Sequence, residues 1–147
     1  MMEHVVVVGS GQAGVQTAFS LRDEGFAGSI TVVGDEAATP YQRPPLSKGY
    51  LLGKLDEDGV LLKARNLYEE YRLDMRLGIR VQSIDRAGRM LILQGGATLA
   101  YDHLVLATGA RQRLLDAPGA NLPGVLTLRT IEDARALMAQ LRHEFCK

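Results

Sequence analysis

The run "EHVVVVGSGQAGVQTAFSLRDEGFAGSITVVGDE", Glu3 to Glu36, sets Gly9, Gly11 and Gly14 between an apolar stretch and an amphipathic one, with Asp35 21 residues past Gly14. Residues of these types at this spacing can hold a pyrophosphate and a ribose. The first glycine allows a tight turn, the second lets the backbone approach the pyrophosphate, and the third lets a helix pack closely on a strand. The unpaired N–H groups of a helix starting there, those of Gln12 and Ala13 included, face the phosphates. The helix dipole adds about 0.3–1 kcal/mol. Asp35 would accept hydrogen bonds from the adenosine ribose hydroxyls, with Glu36 as the alternative. The competing reading is a glycine turn of purely structural purpose. The pattern reads only the ADP moiety, which NAD, NADP and FAD share.

The elements needed to position these residues are legible around them. Val5–Val8 is apolar and β-branched throughout, as expected of a central parallel strand covered on both faces. A helical pattern runs from Ala13 through Val15, Ala18, Phe19 and Leu21 to a C-cap at Gly25. Ile30–Val33 is a second strand, and the crossover between the two makes them parallel. Further on, Thr39–Lys48 carries Pro40, Pro44 and Pro45 and is expected to be an extended loop. A short helix could follow over Leu46–Leu52, and another is expected over Lys63–Glu70. Leu73–Leu77, Ile79–Asp85, Met90–Leu93 and Thr98–Tyr101 are expected strands, broken by Gly78 and the turn at Arg86–Arg89. His103–Ala110 is expected to be a buried strand running into a glycine turn. Leu114–Pro123 is loop, and Thr130–Leu141 a last helix capped by Thr130 with Asp133 three residues on. The expected fold class is α/β: a Rossmann-like domain with a parallel sheet, helices and a small additional β-meander.

The segment "PYQRPPLSK", Pro40–Lys48, joins the N-terminal fingerprint and "LVLATGA", Leu104–Ala110, in a specific combination. Together they resemble the FAD-dependent NAD(P)H–ferredoxin and rubredoxin reductases of oxygenase systems, with apoptosis-inducing factor as a relative. The resemblance runs from Glu3 to about Leu141. It implies FAD in an extended pose with its adenine end on the Gly9–Gly14 turn and Asp35 on the ribose. It implies Arg43 near the adenosine-pyrophosphate region, Lys48 by the isoalloxazine ring and the Val81 backbone at the adenine. Ala107, Thr108 and Gly109 would pass the middle of the cofactor, and Arg129 would be another FAD contact. Arg43 and Lys48 sit on a loop stiffened by Pro44 and Pro45, so they lose less chain entropy on ordering. A lysine near the flavin N5/O4 edge can orient the ring and stabilise negative charge on its reduced form. Taken singly, each of these residues also has a plainer reading: solvated surface charges for the two cations, core for Val81, a strand-end turn for Thr108 and Gly109. Tyr41 fits either a place near the cofactor or ordinary loop packing.

Composition narrows the function classes. The 147 residues are 46% apolar and carry 17 basic against 17 acidic side chains, which argues against a nucleic-acid polyanion as main partner. No apolar run approaches the roughly 20 residues that span a bilayer, and no membrane association is expected. One cysteine, Cys146, fits a reducing cytoplasm and is expected to be an inert thiol. His4, His103 and His143 have no metal-site spacing. No redox cysteine pair is present, which favours electron transfer from flavin to a one-electron carrier over disulfide reduction. A second Gly-x-Gly-x-x-Gly is not found, and the family's NAD-binding insert and C-terminal interface domain have no counterpart. Residues 1–147 are therefore expected to be the N-terminal part of a FAD/NAD(P)-binding domain, whether fragment, truncated frame or stand-alone remnant. Three readings follow: the FAD-binding part of a reductase that passes electrons from NAD(P)H to a ferredoxin or rubredoxin, not fully competent alone; a dinucleotide-binding module without turnover; and a compact NAD-binding enzyme, which the proline segment disfavours.

Overall fold

The computed structural model describes residues 3–145. The elements are β1 (His4–Val8), α1 (Gln12–Asp23), β2 (Ser29–Gly34), α2 (Arg65–Glu70), β3 (Leu73–Leu77), β4 (Val81–Asp85), β5 (Met90–Leu93), β6 (Thr98–Ala100), β7 (His103–Leu106) and α3 (Ile131–Phe145), with 3₁₀ turns at Pro44–Ser47 and Asp58–Val60. Two compact units result, Met1–Tyr41 with Leu61–Gly109, and Gln42–Val60 with Ala110–Lys147.

The first unit is built on β1. Its valines are apolar at every position because the strand is covered from both sides. Val5 and Val7 pack with Val15, Ala18 and Phe19 of α1 and Tyr68 of α2. Val6 points the other way, into Val33, Leu91, Leu93 and Leu99. Burial of each such side chain contributes roughly 1.5–3 kcal/mol. A four-stranded sheet in the order β3-β2-β1-β7 forms the middle layer, and all three of its pairings are parallel. The antiparallel β4-β5-β6 meander covers the Val6 face. Helix α1 stops where expected. Gly25 has φ +84°, and bonds of 2.9 Å from Phe26 N to Leu21 O and 3.0 Å from Gly25 N to Arg22 O close a Schellman motif. The Arg22 guanidinium then donates to the carbonyls of Phe26 and Gly28 at 2.7 Å and of Tyr71 at 2.9 Å, which ties the loops before β2 and β3 together.

The second unit contains both 3₁₀ turns and α3. Leu46, Tyr50, Val60, Ile131 and Ala134 are buried. Thr130 and Asp133 form the expected cap: Asp133 N donates to Thr130 Oγ1 at 3.1 Å and Thr130 N to Asp133 Oδ2 at 2.8 Å. Glu57 accepts hydrogen bonds from Arg135 of α3.

Several expectations are corrected. The proline segment is not extended throughout. Pro44–Ser47 coils into a 3₁₀ turn, because the φ that proline imposes suits the first turn of a helix as well as an extended chain. That 3₁₀ turn takes in Leu46 and Ser47, and the chain then continues as turns, so the short helix expected over Leu46–Leu52 does not extend past Ser47. Helix α2 begins at Arg65 rather than Lys63, β4 at Val81 rather than Ile79, and β6 ends at Ala100. Helix α3 runs on to Phe145, since nothing after Leu141 breaks the pattern. The strand within His103–Ala110 ends at Leu106 and is not buried: among the described residues β7 is an edge strand, and Leu106 is 61% exposed. Cys146 lies outside the described residues, as does the His143 side chain.

One buried group is poorly satisfied. The Tyr68 hydroxyl is enclosed and has no hydrogen-bond partner among the described residues, and burial pushes its pKa up to about 12. Leaving such a donor unpaired costs about 1–3 kcal/mol. Tyr68→Phe is therefore expected to raise stability in urea unfolding at neutral pH by about 1 kcal/mol. A raised phenol pKa contributes stability below the unfolded value of 10 that is lost as pH climbs toward 12. The parent protein should accordingly lose stability across that alkaline window faster than the phenylalanine variant.

Candidate dinucleotide site

The parallel strands β1, β2 and β7 bring their carboxyl ends to one edge of the sheet, the usual place for a ligand in an open α/β sheet. The glycine turn follows β1 there. Gly9 has φ +117°, its amide donates to Val33 O at 2.8 Å, and a Cβ on it would lie 2.1 Å from the Ala107 carbonyl oxygen. A Cβ on Gly14 would lie 1.8 Å from the Gly9 carbonyl oxygen and 3.3 Å from Val7 Cγ1. Gly11 differs from both. Its backbone is extended (φ −80°, ψ −172°), and a Cβ on it would meet nothing within 4 Å. Neither packing nor conformation asks for glycine at that point, so its open face is available to a group from outside. The first helical bond of α1 runs from Val15 N to Gly11 O at 3.0 Å, with no side-chain cap and no acid in the first turn. The amides of Gln12, Ala13 and Gly14 thus have no intrahelical acceptor.

At the end of β2, Gly34 sits against Ser10: a Cβ there would lie 2.1 Å from Ser10 Oγ, which joins this strand end to the glycine turn. Asp35 comes next. It is exposed and makes no hydrogen bond or ion pair among the described residues. Glu36 is half-buried, and its Oε2 accepts the Tyr41 hydroxyl. The backbone on either side of Asp35 is fastened to the turn after β3, by Ile79 N to Gly34 O at 2.9 Å and Gly78 N to Glu36 O at 3.0 Å. Val81 lies just beyond that turn, opposite Leu93, with its side chain packed against the core. After β7, Ala107 donates to Val8 O at 2.8 Å and faces Gly9, while Thr108 and Gly109 are exposed, Gly109 with φ +67°.

Three further candidates belong to the second unit. Arg43 Nη1 donates to the Arg129 carbonyl at 2.7 Å, and Arg129 N donates to Asp133 Oδ2 at 2.8 Å. Burial works against ionisation of Asp133, but the amides of Thr130 and Arg129 and the Thr130 hydroxyl, with Arg43 nearby, hold its carboxyl below the usual value. Lys48 is exposed at the end of the Pro44–Ser47 turn, its amide bonded to Pro45 O at 2.9 Å. Two contributors were not foreseen. Ser10 was legible only as a turn residue, and the Tyr41–Glu36 contact has no sequence signal. The histidines serve elsewhere: His4 Nε2 lies 2.8 Å from Thr31 Oγ1, and His103 lies 3.4 Å from the Glu3 carboxylate. Among the described residues no group of three or more metal-ligating side chains converges, and no helix is long and apolar enough to cross a membrane.

Residues 3–144 match the pyridine nucleotide-disulphide oxidoreductase family. The chain belongs to that family. It is 48% identical over 137 residues to rhodocoxin reductase of Rhodococcus erythropolis, with 93% of this chain and 32% of that protein covered. Rubredoxin–NAD(+) reductase of Pseudomonas putida is 41% identical, with 93% of this chain and 36% of that protein covered. Among solved structures, the ferredoxin reductase for the CYP199A2 system of Rhodopseudomonas palustris is 42% identical with a TM-score of 0.89, covering 96% of this chain and 35% of that one. The putidaredoxin reductase in its covalent complex with putidaredoxin is 40% identical with a TM-score of 0.87, covering 95% and 34%. The chain thus spans about a third of the length of the relatives it matches.

The two kinds of glycine contact make separable predictions. Gly14→Ala forces the turn open against the Gly9 carbonyl and should lower stability by about 1–3 kcal/mol. Gly11→Ala meets no atom of the protein and should keep stability within about 1 kcal/mol, the scale of an N-cap change. It should nonetheless weaken ADP binding at least tenfold. Thermal melts and calorimetric titration of both variants check the pair.

Proposed function

We propose that this chain is the FAD-binding part of a flavoprotein oxidoreductase that passes electrons from NAD(P)H to a ferredoxin or rubredoxin, as the reductase component of an oxygenase system. The observation that carries the reading is the bare face of Gly11 beside the unclaimed amides of Gln12, Ala13 and Gly14, with the exposed Asp35 carboxylate at the neighbouring strand end. That set fits a dinucleotide: amides for the pyrophosphate and a carboxylate for the ribose hydroxyls. The choice of FAD is supported by the Pro40–Lys48 segment and by likeness to relatives named as rubredoxin and ferredoxin reductases.

In this reading Gly9–Gly14 would cradle the pyrophosphate, Asp35 would fix the ribose, and the Val81 backbone would border the adenine. Ala107–Gly109 would line the middle of the cofactor. By the resemblance, Arg43 would serve the adenosine-pyrophosphate region and Arg129 would be another FAD contact. Lys48, which is exposed, would orient the flavin ring by charge. Bound there, FAD would supply hydride acceptance from NAD(P)H and one-electron release to an iron–sulfur or rubredoxin partner. The chain's own contribution is orientation, since a misplacement of about 1 Å can cost about a hundredfold in rate. A reducing cytoplasm is the setting we propose, on the evidence of a single cysteine.

Titration of the purified protein with FAD, NAD and FMN should find FAD the tightest ligand, and tighter binding of NAD would sink the assignment. Asp35→Ala should remove charge-assisted hydrogen bonds worth roughly 1.5–3 kcal/mol and weaken FAD by about one to two decades. An unchanged FAD affinity would discard the ribose role of Asp35.

A further inference from the structure

Gly34 ends β2, one residue before Asp35, and nothing in its own backbone asks for glycine. It pairs with Leu77 of β3 as ordinary strand and does not have a positive φ. What forbids a side chain there is a neighbour. A Cβ on Gly34 would lie 2.1 Å from Ser10 Oγ, 2.6 Å from Ser10 Cβ and 3.5 Å from Ser10 N. At Gly9 and Gly14 the nearest obstacle is a backbone carbonyl, whereas here it is a side chain of the glycine turn. The Ser10 side chain fills the place that a side chain at position 34 would take. The contact joins the two halves of the candidate site. Ser10 directly precedes Gly11 and the amides at the start of α1, and the buried Gly34 directly precedes the exposed Asp35. One step deeper, the bond of 2.8 Å from Gly9 N to Val33 O holds the same two segments together, and Ile79 N fastens the Gly34 carbonyl at 2.9 Å.

We propose that Ser10 is a positioning residue: its side chain, seated on the bare backbone of Gly34, is a spacer that sets the separation between the phosphate-binding amides and the ribose-binding carboxylate of Asp35. This rests on the dinucleotide reading above and names the pair of residues that keeps its two halves in register. The phosphates and ribose of ADP are joined by a few bonds, so amides and carboxylate can serve one ligand only over a narrow range of separation. A Cβ–Cβ approach of 2.6 Å falls roughly 1 Å short of ordinary carbon–carbon contact. Turning χ1 of Ser10 moves Oγ but leaves Cβ in place, so no rotamer relieves it. Alanine at position 34 must therefore push the turn and the strand end apart. Removing the Ser10 side chain as well takes away both close atoms and leaves Ser10 N at an ordinary 3.5 Å. The methyl group then fills, from the strand, the space that serine fills from the turn.

The test uses the full chain and two probes, ADP and 2′,3′-dideoxy-ADP, which differ only in the ribose hydroxyls. Calorimetric titration of the unsubstituted protein should give a preference for ADP of about tenfold, the scale of one charge-assisted interaction. Gly34→Ala should abolish that preference while changing dideoxy-ADP affinity less than about threefold, because the amides of α1 stay in place. Adding Ser10→Gly to Gly34→Ala should restore the preference to at least about fivefold. Adding Ser10→Ala should not, since its Cβ remains. Alone, Ser10→Ala should keep the full preference, and Ser10→Gly should cut it to about threefold, because the spacer is lost but nothing is forced apart. Losses that simply add in the Ser10→Gly/Gly34→Ala double variant would overturn the spacer. Full preference in a folded Gly34→Ala variant would do the same, as would equal weakening of both probes by it. A loss in Ser10→Ala alone would make the hydroxyl a ligand contact and overturn the spacer too. Should Gly34→Ala not fold, Ser10→Gly alone decides, and an undiminished preference overturns the proposal. If the unsubstituted protein binds neither probe, or binds both equally, the dinucleotide reading itself falls, and the spacer with it.

Discussion

Everything at the candidate site depends on how closely backbone approaches backbone at the end of β1. Gly9 lies under the Ala107 carbonyl and Gly14 lies over the Gly9 carbonyl, each at a distance that leaves no room for a Cβ. Three strands and one helix converge on that point, and side chains are excluded from it. The consequence is geometric. With α1 seated directly on the strand end, its first amides emerge at the carboxyl edge of the sheet rather than behind a layer of side chains. Gly11 then leaves that exit open from outside.

The two hydrophobic cores of the first unit serve this convergence. Alternate valines of β1 enter opposite layers, so the strand is clamped between α1 and α2 on one face and the meander on the other. A strand held from both faces has no freedom to shift register, and a one-residue slip would carry Gly9 away from Val33 and Ala107. The Schellman close of α1 and the Arg22 clasp fix the far end of the helix, so the position of its N-terminus follows from packing rather than from any cap. An uncapped helix start is a local cost in the isolated fold. An anion at that point would offset it, and the proposed dinucleotide would supply one.

The legible and illegible parts of the fold differ in the range of the interactions that decide them. The β1-α1-β2 unit could be read from sequence because an apolar β-branched run, a helical stripe and a C′ glycine are local signals, each with its own physical cause. The proline segment could not, because a φ near −65° serves a 3₁₀ turn and an extended chain alike, and the burial of Leu46 in the turn has no local signal. The position of β7 at the sheet edge was hidden for another reason: apolar composition states that a strand can be covered, not what covers it. The contact of Tyr41 with Glu36 was also beyond sequence, because Tyr41 pairs with Leu61 across a long excursion of the chain. The close packing at Gly9 and Gly14 was legible in the sequence, and the contacts separate these two from Gly11, which answers to no packing.

The central claim is that the amides at the start of α1, beside the open face of Gly11, receive the phosphates of a dinucleotide. Backbone amide NMR of the isotopically labelled protein during titration with ADP tests it most directly. The account predicts the largest saturable shifts at the amides of Gly11 through Gly14, with further sets around Asp35 and at Val81, and little change across β5 and β6. Saturable ADP binding that leaves the Gly11–Gly14 amides unmoved would contradict it.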